Sequence, residues 1–152
     1  MILRLIVFLV LNFAALGIGG FFTGKGVPSE WYATLAKAPW TPPGWVFGAA
    51  WTSIMICFAF YMAQAWQAAE NRTLLIGLFI LQWALNVSWN PVFFHYHQVA
   101  AGLLIIVLLT LLVGYMLLRY SQPMKYYSLL LLPYFLWLLV ATSLNAYILV
   151  KN

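Results

Sequence analysis

Apolar residues fall into five long runs, and the charged residues lie between these runs or at their ends. Crossing the hydrocarbon of a bilayer as a helix takes about 20 predominantly apolar residues. The predicted spans are residues 3–22, 44–66, 74–94, 99–119 and 126–150. The pattern therefore predicts an all-α integral membrane protein, with all 152 residues in a single transmembrane domain of five helices.

Polar side chains inside these spans are amides and hydroxyls rather than charged groups. Gln82, Asn86 and Asn90 recur every four residues, so they share one face of the third span. Thr142 and Asn145 lie in the fifth span. Such groups need hydrogen-bond partners, which leaves two interpretations open. They join neighbouring helices, or they give a binding cavity its few polar contacts.

The longest connection, residues 23–43, is rigid and aromatic. Four of the eight tryptophans and three of the seven prolines lie between Trp31 and Trp51. Ser29 predicts the start of a short helix, Pro39 its end, and Pro43 the first turn of the second span. The stretch is interpreted either as a membrane-surface loop with its tryptophans at headgroup level, or as the wall of a pocket for a flat apolar ligand.

Three further positions predict interruptions of the helices. Pro91 lies near the end of the third span, where a kink or an early stop is expected. Residues 121–125 predict a turn before the fifth span. Pro133 predicts a kink within that last span.

Composition excludes several classes of function. The chain is 66% hydrophobic and 6% charged, whereas a soluble domain has about 25% charged residues. Glu30 and Glu70 are the only acidic residues, so no carboxylate pair is available for general acid–base catalysis and no span holds a carboxylate for proton coupling. The net charge of +5 comes from scattered basic residues, which argues against nucleic acid as a partner. These residues divide almost evenly between the two sides of the membrane and predict no orientation.

His95 and His97 raise the possibility of a metal or a haem. Two histidines at i and i+2 on one short loop make a poor chelate, and no cysteine or carboxylate lies near them in the sequence. We therefore predict no metal site and no required cofactor. The single cysteine, Cys57, is interpreted as a small buried apolar residue.

Three blocks of residues resemble the TspO/MBR family, the tryptophan-rich sensory proteins and translocator proteins (the peripheral-type benzodiazepine receptor family). The first is Trp31-Tyr32-x-x-Leu35-x-Lys37 followed by Pro39-Trp40-x-Pro42-Pro43-x-Trp45-Val46 and Trp51-Thr52. The second is Gln82-x-x-x-Asn86-x-x-Trp89-x-Pro91-x-Phe93-Phe94. The third is Pro133-Tyr134-x-x-Trp137-x-x-x-Ala141-Thr142-x-Leu144-Asn145. Together, in this order, they extend over almost the whole chain.

The resemblance implies a bundle of five transmembrane helices, often a homodimer, with the long first loop folded over a pocket. It implies a receptor or carrier in a sensory, regulatory or transport role. The expected ligands are porphyrins (tetrapyrroles) and similar planar hydrophobic molecules such as sterols or drug-like compounds. By motif match, with Met55 added because it lies one turn beyond Trp51, the implied ligand-binding residues are Tyr32, Pro42, Trp51, Met55, Asn86, Trp89, Trp137, Ala141 and Leu144.

Two other functions stay open. One is a light-dependent porphyrin-degrading enzyme, in which Trp51 and Trp137 would be the reactive residues. The other is a structural or regulatory membrane partner that binds lipid incidentally. Ala146 stands where the animal members carry an aromatic residue in their sterol segment, so sterol binding is not predicted from that motif. The expected location is a bacterial cell membrane, with the lipid bilayer as the surrounding partner.

Overall fold

The computed structural model describes all 152 residues and is almost entirely helical. Six α-helices follow one another: α1 (Ile2–Gly26), α2 (Glu30–Thr34), α3 (Gly44–Ala68), α4 (Arg72–Asn90), α5 (Val99–Met124) and α6 (Leu132–Lys151). A π-helical turn, Pro91–His95, continues α4, and a 3-10 helix, Lys125–Leu131, joins α5 to α6. No strand is present.

Four continuous helical runs are long and apolar enough to cross a membrane: Ile2–Gly26, Gly44–Ala68, Arg72–His95 and Val99–Lys151. The last run is 53 residues long and consists of two helices, because α5 and α6 pack side by side. The chain reverses in the 3-10 helix, where Lys125 has a φ of 50°. The predicted all-helical membrane bundle is therefore confirmed, with α1, α3, α4, α5 and α6 as its five long helices.

Neighbouring helices close the bundle in the order α1, α3, α6, α5, α4. The first loop, residues 27–43, joins α1 to α3, and we call the end of the bundle on that side the loop end. The opposite end, called the far end, holds the α3–α4 and α5–α6 connections. Met55, Phe58 and Met62 of α3 are fully enclosed at the centre. Many outer side chains of α1 and α5 are apolar and exposed, as expected for surfaces that face lipid.

Hydrogen bonds and packing shift several predicted boundaries. Helix α2 ends at Thr34, five residues before Pro39, because the chain is extended at Leu35 and the next residue bonds to the end of α6. The predicted turn at 121–125 is helical, since α5 continues through Pro123 to Met124. Pro133 does not kink α6 but stands in its first turn, where the missing N–H costs nothing.

The fifth span starts as a 3-10 helix rather than as the α-helix predicted from residue 126. In a 3-10 helix residues three apart share a face, and this geometry turns Ser128 and Leu131 into the bundle, where both are buried. Tyr126 and Tyr127 are left exposed. The interruption expected at Pro91 is confirmed, and it takes the form of the π-helical turn.

Candidate functional site

Aromatic rings fill the space between α3 and α6. Trp51 meets Tyr134 edge to face, with ring centroids 5.8 Å apart. One turn nearer the loop end, Phe47 meets Trp137 in the same way at 5.3 Å. Both tryptophans are half-buried. Because indole and phenyl rings present large rigid apolar faces, this seam has the lining that a planar ligand needs.

Two hydrogen bonds between α4 and α6 bracket this region along the bundle. In the deeper one, Gln82 Nε2 donates to Tyr134 Oη over 2.6 Å. Nearer the loop end, Trp89 Nε1 donates to Asn145 Oδ1 over 3.1 Å. Helices α4 and α6 both run from the far end to the loop end. The inward-facing residues between the two bonds therefore lie at similar depths in the bundle.

Two polar side chains in this stretch make no hydrogen bond to another helix. Trp137 lies one turn beyond Tyr134, and its Nε1 is buried without a hydrogen-bond partner. Asn86 lies one turn beyond Gln82 and is only 9% exposed. Side-chain hydrogen bonds join α4 to other helices at five positions, none of which is Asn86: Arg72, Gln82, Trp83, Trp89 and Asn90. Burying a polar group without a partner costs free energy, so the Trp137 N–H favours an additional polar partner, and no bond to another helix occupies the Asn86 amide.

The other polar residues of the spans join helices. Asn90 Oδ1 accepts a hydrogen bond from Thr23 Oγ1 of α1 over 3.0 Å. The hydroxyls of Thr110 and Thr142 lie 3.2 Å apart between α5 and α6. Asn145 also donates to the carbonyl of Val99 over 3.0 Å. Of the polar residues predicted from the sequence, Gln82, Asn90, Thr142 and Asn145 thus join helices, and Asn86 does not.

The first loop covers the loop end of the bundle. The ring of Tyr32 packs on Phe94, with centroids 5.6 Å apart, and burial raises its pKa above the ordinary value. Trp40 Nε1 donates to Ser143 Oγ of α6 over 3.1 Å. The backbone N–H of Ala36 donates to Asn152 Oδ1 over 2.9 Å, and Asn152 Nδ2 donates to the carbonyl of Ala36 over 3.2 Å. The loop is thereby fastened to both the π-helical turn and the end of α6.

The nine predicted ligand-binding residues fall on four elements around this region. Trp51 and Met55 lie on α3, Asn86 and Trp89 on α4, Trp137, Ala141 and Leu144 on α6, and Tyr32 and Pro42 in the first loop. Met55 and Leu144 are buried, Met55 completely. Two open cavities of about 370 and 400 Å³ lie elsewhere and are lined by none of the nine.

Two residues of the seam, Phe47 and Tyr134, are absent from the predicted set. Phe47 precedes Trp51 by four residues, so helical spacing alone places it on the same face. Tyr134 precedes Trp137 by three residues and belongs to the third block that resembles the family. No group of three or more His, Cys, Asp or Glu side chains lies close enough to hold a metal ion.

Comparison with known proteins places the chain. The TspO/MBR family model matches residues 6–151. The tryptophan-rich protein TspO of Archaeoglobus fulgidus is 36% identical over 145 residues, 94% of each chain. That of Chlorobaculum tepidum is 37% identical over 139 residues, 88% of this chain and 86% of the relative. Human translocator protein is 31% identical over 129 residues, 82% of this chain and 75% of the relative.

These likenesses extend over both the aromatic seam and the first loop. The relatives are tryptophan-rich sensory and translocator proteins, and the apolar helices identify a multi-pass membrane protein. Together they support a sensory or binding role in a membrane. This chain belongs to the TspO/MBR family.

Proposed function

We propose that the protein is a membrane receptor or carrier that binds porphyrins and similar planar hydrophobic molecules between α3 and α6, beneath the first loop. The observation that carries the proposal is the buried Trp137 Nε1, which has no hydrogen-bond partner in a largely aromatic interior. The Asn86 amide, 9% exposed, is a second polar group that bonds to no other helix. Small-molecule sites are mostly apolar, with a few polar groups that fix the orientation of the ligand.

The chemistry of these groups defines the ligand. The Trp137 N–H is a donor only, and the Asn86 amide both donates and accepts. A flat conjugated ring with nitrogen or carboxylate acceptors at its edge satisfies the donors while its faces contact the rings of Phe47 and Trp51. The site holds no charged side chain that could couple ligand movement to an ion. As a carrier, the protein would therefore move its ligand down a gradient or pass it to a partner.

One substitution and a matched control test the site. Trp137→Phe keeps a six-membered aromatic ring and removes the five-membered ring that carries the unpartnered N–H. Trp66→Phe is the matched control, because Trp66 Nε1 is also buried and unpartnered but lies at the far end of α3. Protoporphyrin IX is titrated into the detergent-purified protein, and binding is followed by the shift of the porphyrin Soret band.

We expect saturable binding by the wild-type chain. Loss of one neutral hydrogen bond of about 0.5–1.5 kcal/mol weakens binding roughly two- to tenfold in Trp137→Phe, and Trp66→Phe binds as the wild type does. Linear, unsaturable uptake by all three proteins would mean that porphyrin only partitions into the micelle. Illumination of the complex separates the enzymatic alternative. Bleaching equal to that of free porphyrin supports a receptor or carrier, whereas a distinct protein-dependent product supports an enzyme.

A further inference from the structure

An open cavity of about 400 Å³ lies outside the region between α3 and α6, where the end of α1 meets the π-helical turn. Phe21, Phe22 and Phe94 provide aromatic walls, and Lys25, His95 and His97 provide nitrogen donors. None of these residues belongs to the site proposed above for planar ligands. The cavity therefore needs an explanation of its own.

The polar groups of this cavity share one chemical character. The lysine ammonium group offers three donors and no acceptor, and a histidine of either charge offers at least one N–H donor. No acidic side chain lines the cavity, and the nearest one in the sequence, Glu30, is exposed. A cavity with three basic side chains and no carboxylate is complementary to an anion.

Rings hold two of these basic groups in place. Lys25 Nζ lies 4.1 Å from the centre of the Phe21 ring, a geometry that favours a cation over the aromatic face. The imidazole of His97 stacks on Trp31, with centroids 4.0 Å apart and the planes 14° from parallel. These contacts favour both positions before any ligand binds, which reduces the entropy lost on binding.

The place of the cavity in the bundle indicates what kind of anion it receives. Phe21 is 57% exposed on the outer, apolar surface of α1, and Lys25 lies one turn further toward the loop end. Along α1, from the hydrocarbon of the bilayer toward water, an aromatic surface is therefore followed by basic groups. A membrane lipid has the same order, with an acyl chain below its headgroup.

We propose that this cavity binds the anionic headgroup, a phosphate or a carboxylate, of an amphiphile whose chain lies along Phe21. Lys25 and the two imidazoles donate to the anion. The site is independent of the region between α3 and α6, so a failure of one proposal leaves the other intact.

Binding of dioctanoyl phosphatidic acid and dioctanoyl phosphatidylcholine to the full chain in detergent is measured by calorimetric titration. Lys25→Gln removes the charge and keeps the length of the side chain. His95→Phe removes the donor and keeps a ring against Phe22. Lys151→Gln is the matched control, because Lys151 also lies at the loop end over an aromatic ring, that of Tyr147, but does not line the cavity.

We expect the wild-type chain to prefer phosphatidic acid by about tenfold, and Lys25→Gln to lose about fivefold, the equivalent of about 1 kcal/mol for one basic residue at an anionic headgroup. His95→Phe loses part of the preference, and Lys151→Gln none. Equal affinities of the wild type for the two lipids, or equal losses in Lys25→Gln and Lys151→Gln, would overturn the proposal. Displacement by excess inorganic phosphate supports the anion site with a free anion as its ligand, whereas retention of the lipid supports an amphiphile.

Discussion

Removing one oxygen from Tyr134 tests whether the hydrogen bond to Gln82 holds α4 against α6. Both side chains are only 1% exposed, and Gln82 Oε1 already lacks a partner. Tyr134→Phe leaves the ring against Trp51 and Phe58, so ring packing stays nearly constant. The whole Gln82 amide is then left without a partner.

The loss of stability in Tyr134→Phe depends on the state with which the folded protein is compared. An unsatisfied buried group costs about 1–3 kcal/mol in a soluble protein. In a membrane the separated helices also lack water, and measured interhelical hydrogen bonds average about 0.6 kcal/mol, with a maximum near 1.7 kcal/mol. Because the Gln82–Tyr134 bond is short and fully enclosed, we expect a loss of about 1 kcal/mol in the free energy of unfolding.

A double-mutant cycle isolates this bond from the effects of each substitution. The variants are Gln82→Met, Tyr134→Phe and the two combined, and each is unfolded with sodium dodecyl sulfate in detergent and followed by circular dichroism. We expect the double variant to be more stable than the sum of the single losses predicts, by about 1 kcal/mol. Additive losses, or a Tyr134→Phe protein as stable as the wild type, would refute the reasoning.

Two other predictions concern the first loop. A Cβ at Gly26 would lie 2.2 Å from Phe94 Cδ1, so Gly26→Ala should displace the ring that supports Tyr32 and increase protease cleavage within the loop. Gly24→Ala, where a Cβ meets nothing within 4 Å, should be cleaved as the wild type is, and equal cleavage of the two variants would contradict this account. Burial raises the pKa of Tyr32 above its ordinary value of 10.0, so the closed loop favours the neutral phenol. Loop closure should therefore be complete below pH 10 and weaken as the pH rises through the raised pKa. Absorbance titration of the phenolate against Tyr32→Phe measures the shift, and a difference signal centred at the ordinary value would count against it.

The architecture could be predicted because the bilayer sets it. A run of about 20 apolar residues has few alternatives to a spanning helix. The helix cap at Ser29 could also be predicted, because it bonds to a residue only three positions further along the chain. Tyr32 N does donate to Ser29 Oγ, over 3.2 Å. Boundaries that depend on distant groups could not be predicted. Helix α2 ends early because Ala36 bonds to Asn152, a residue 116 positions away.

The candidate site shows the same division between local and distant effects. Gln82 and Asn86 are amides on one face of one helix, and spacing alone cannot distinguish them. The difference lies on α6, where Gln82 meets the Tyr134 hydroxyl 52 positions away, whereas Asn86 makes no hydrogen bond to that helix. Phe47 could have been found from its spacing to Trp51, whereas the contact between Phe47 and Trp137 required the packing of α3 against α6.

Asn12 has a consequence for how the protein is assembled during synthesis. Its side chain is 1% exposed and donates Nδ2–H to the carbonyl of Met55 on α3 over 3.0 Å. The two residues are 43 positions apart, and at about 5–20 residues per second the ribosome delivers Met55 roughly two to nine seconds after Asn12. During this interval α1 carries an unpaired amide. When α3 packs against α1, the carbonyl of Met55 accepts the hydrogen bond from this amide. The α1–α3 pair is therefore the first part of the bundle that packing stabilises.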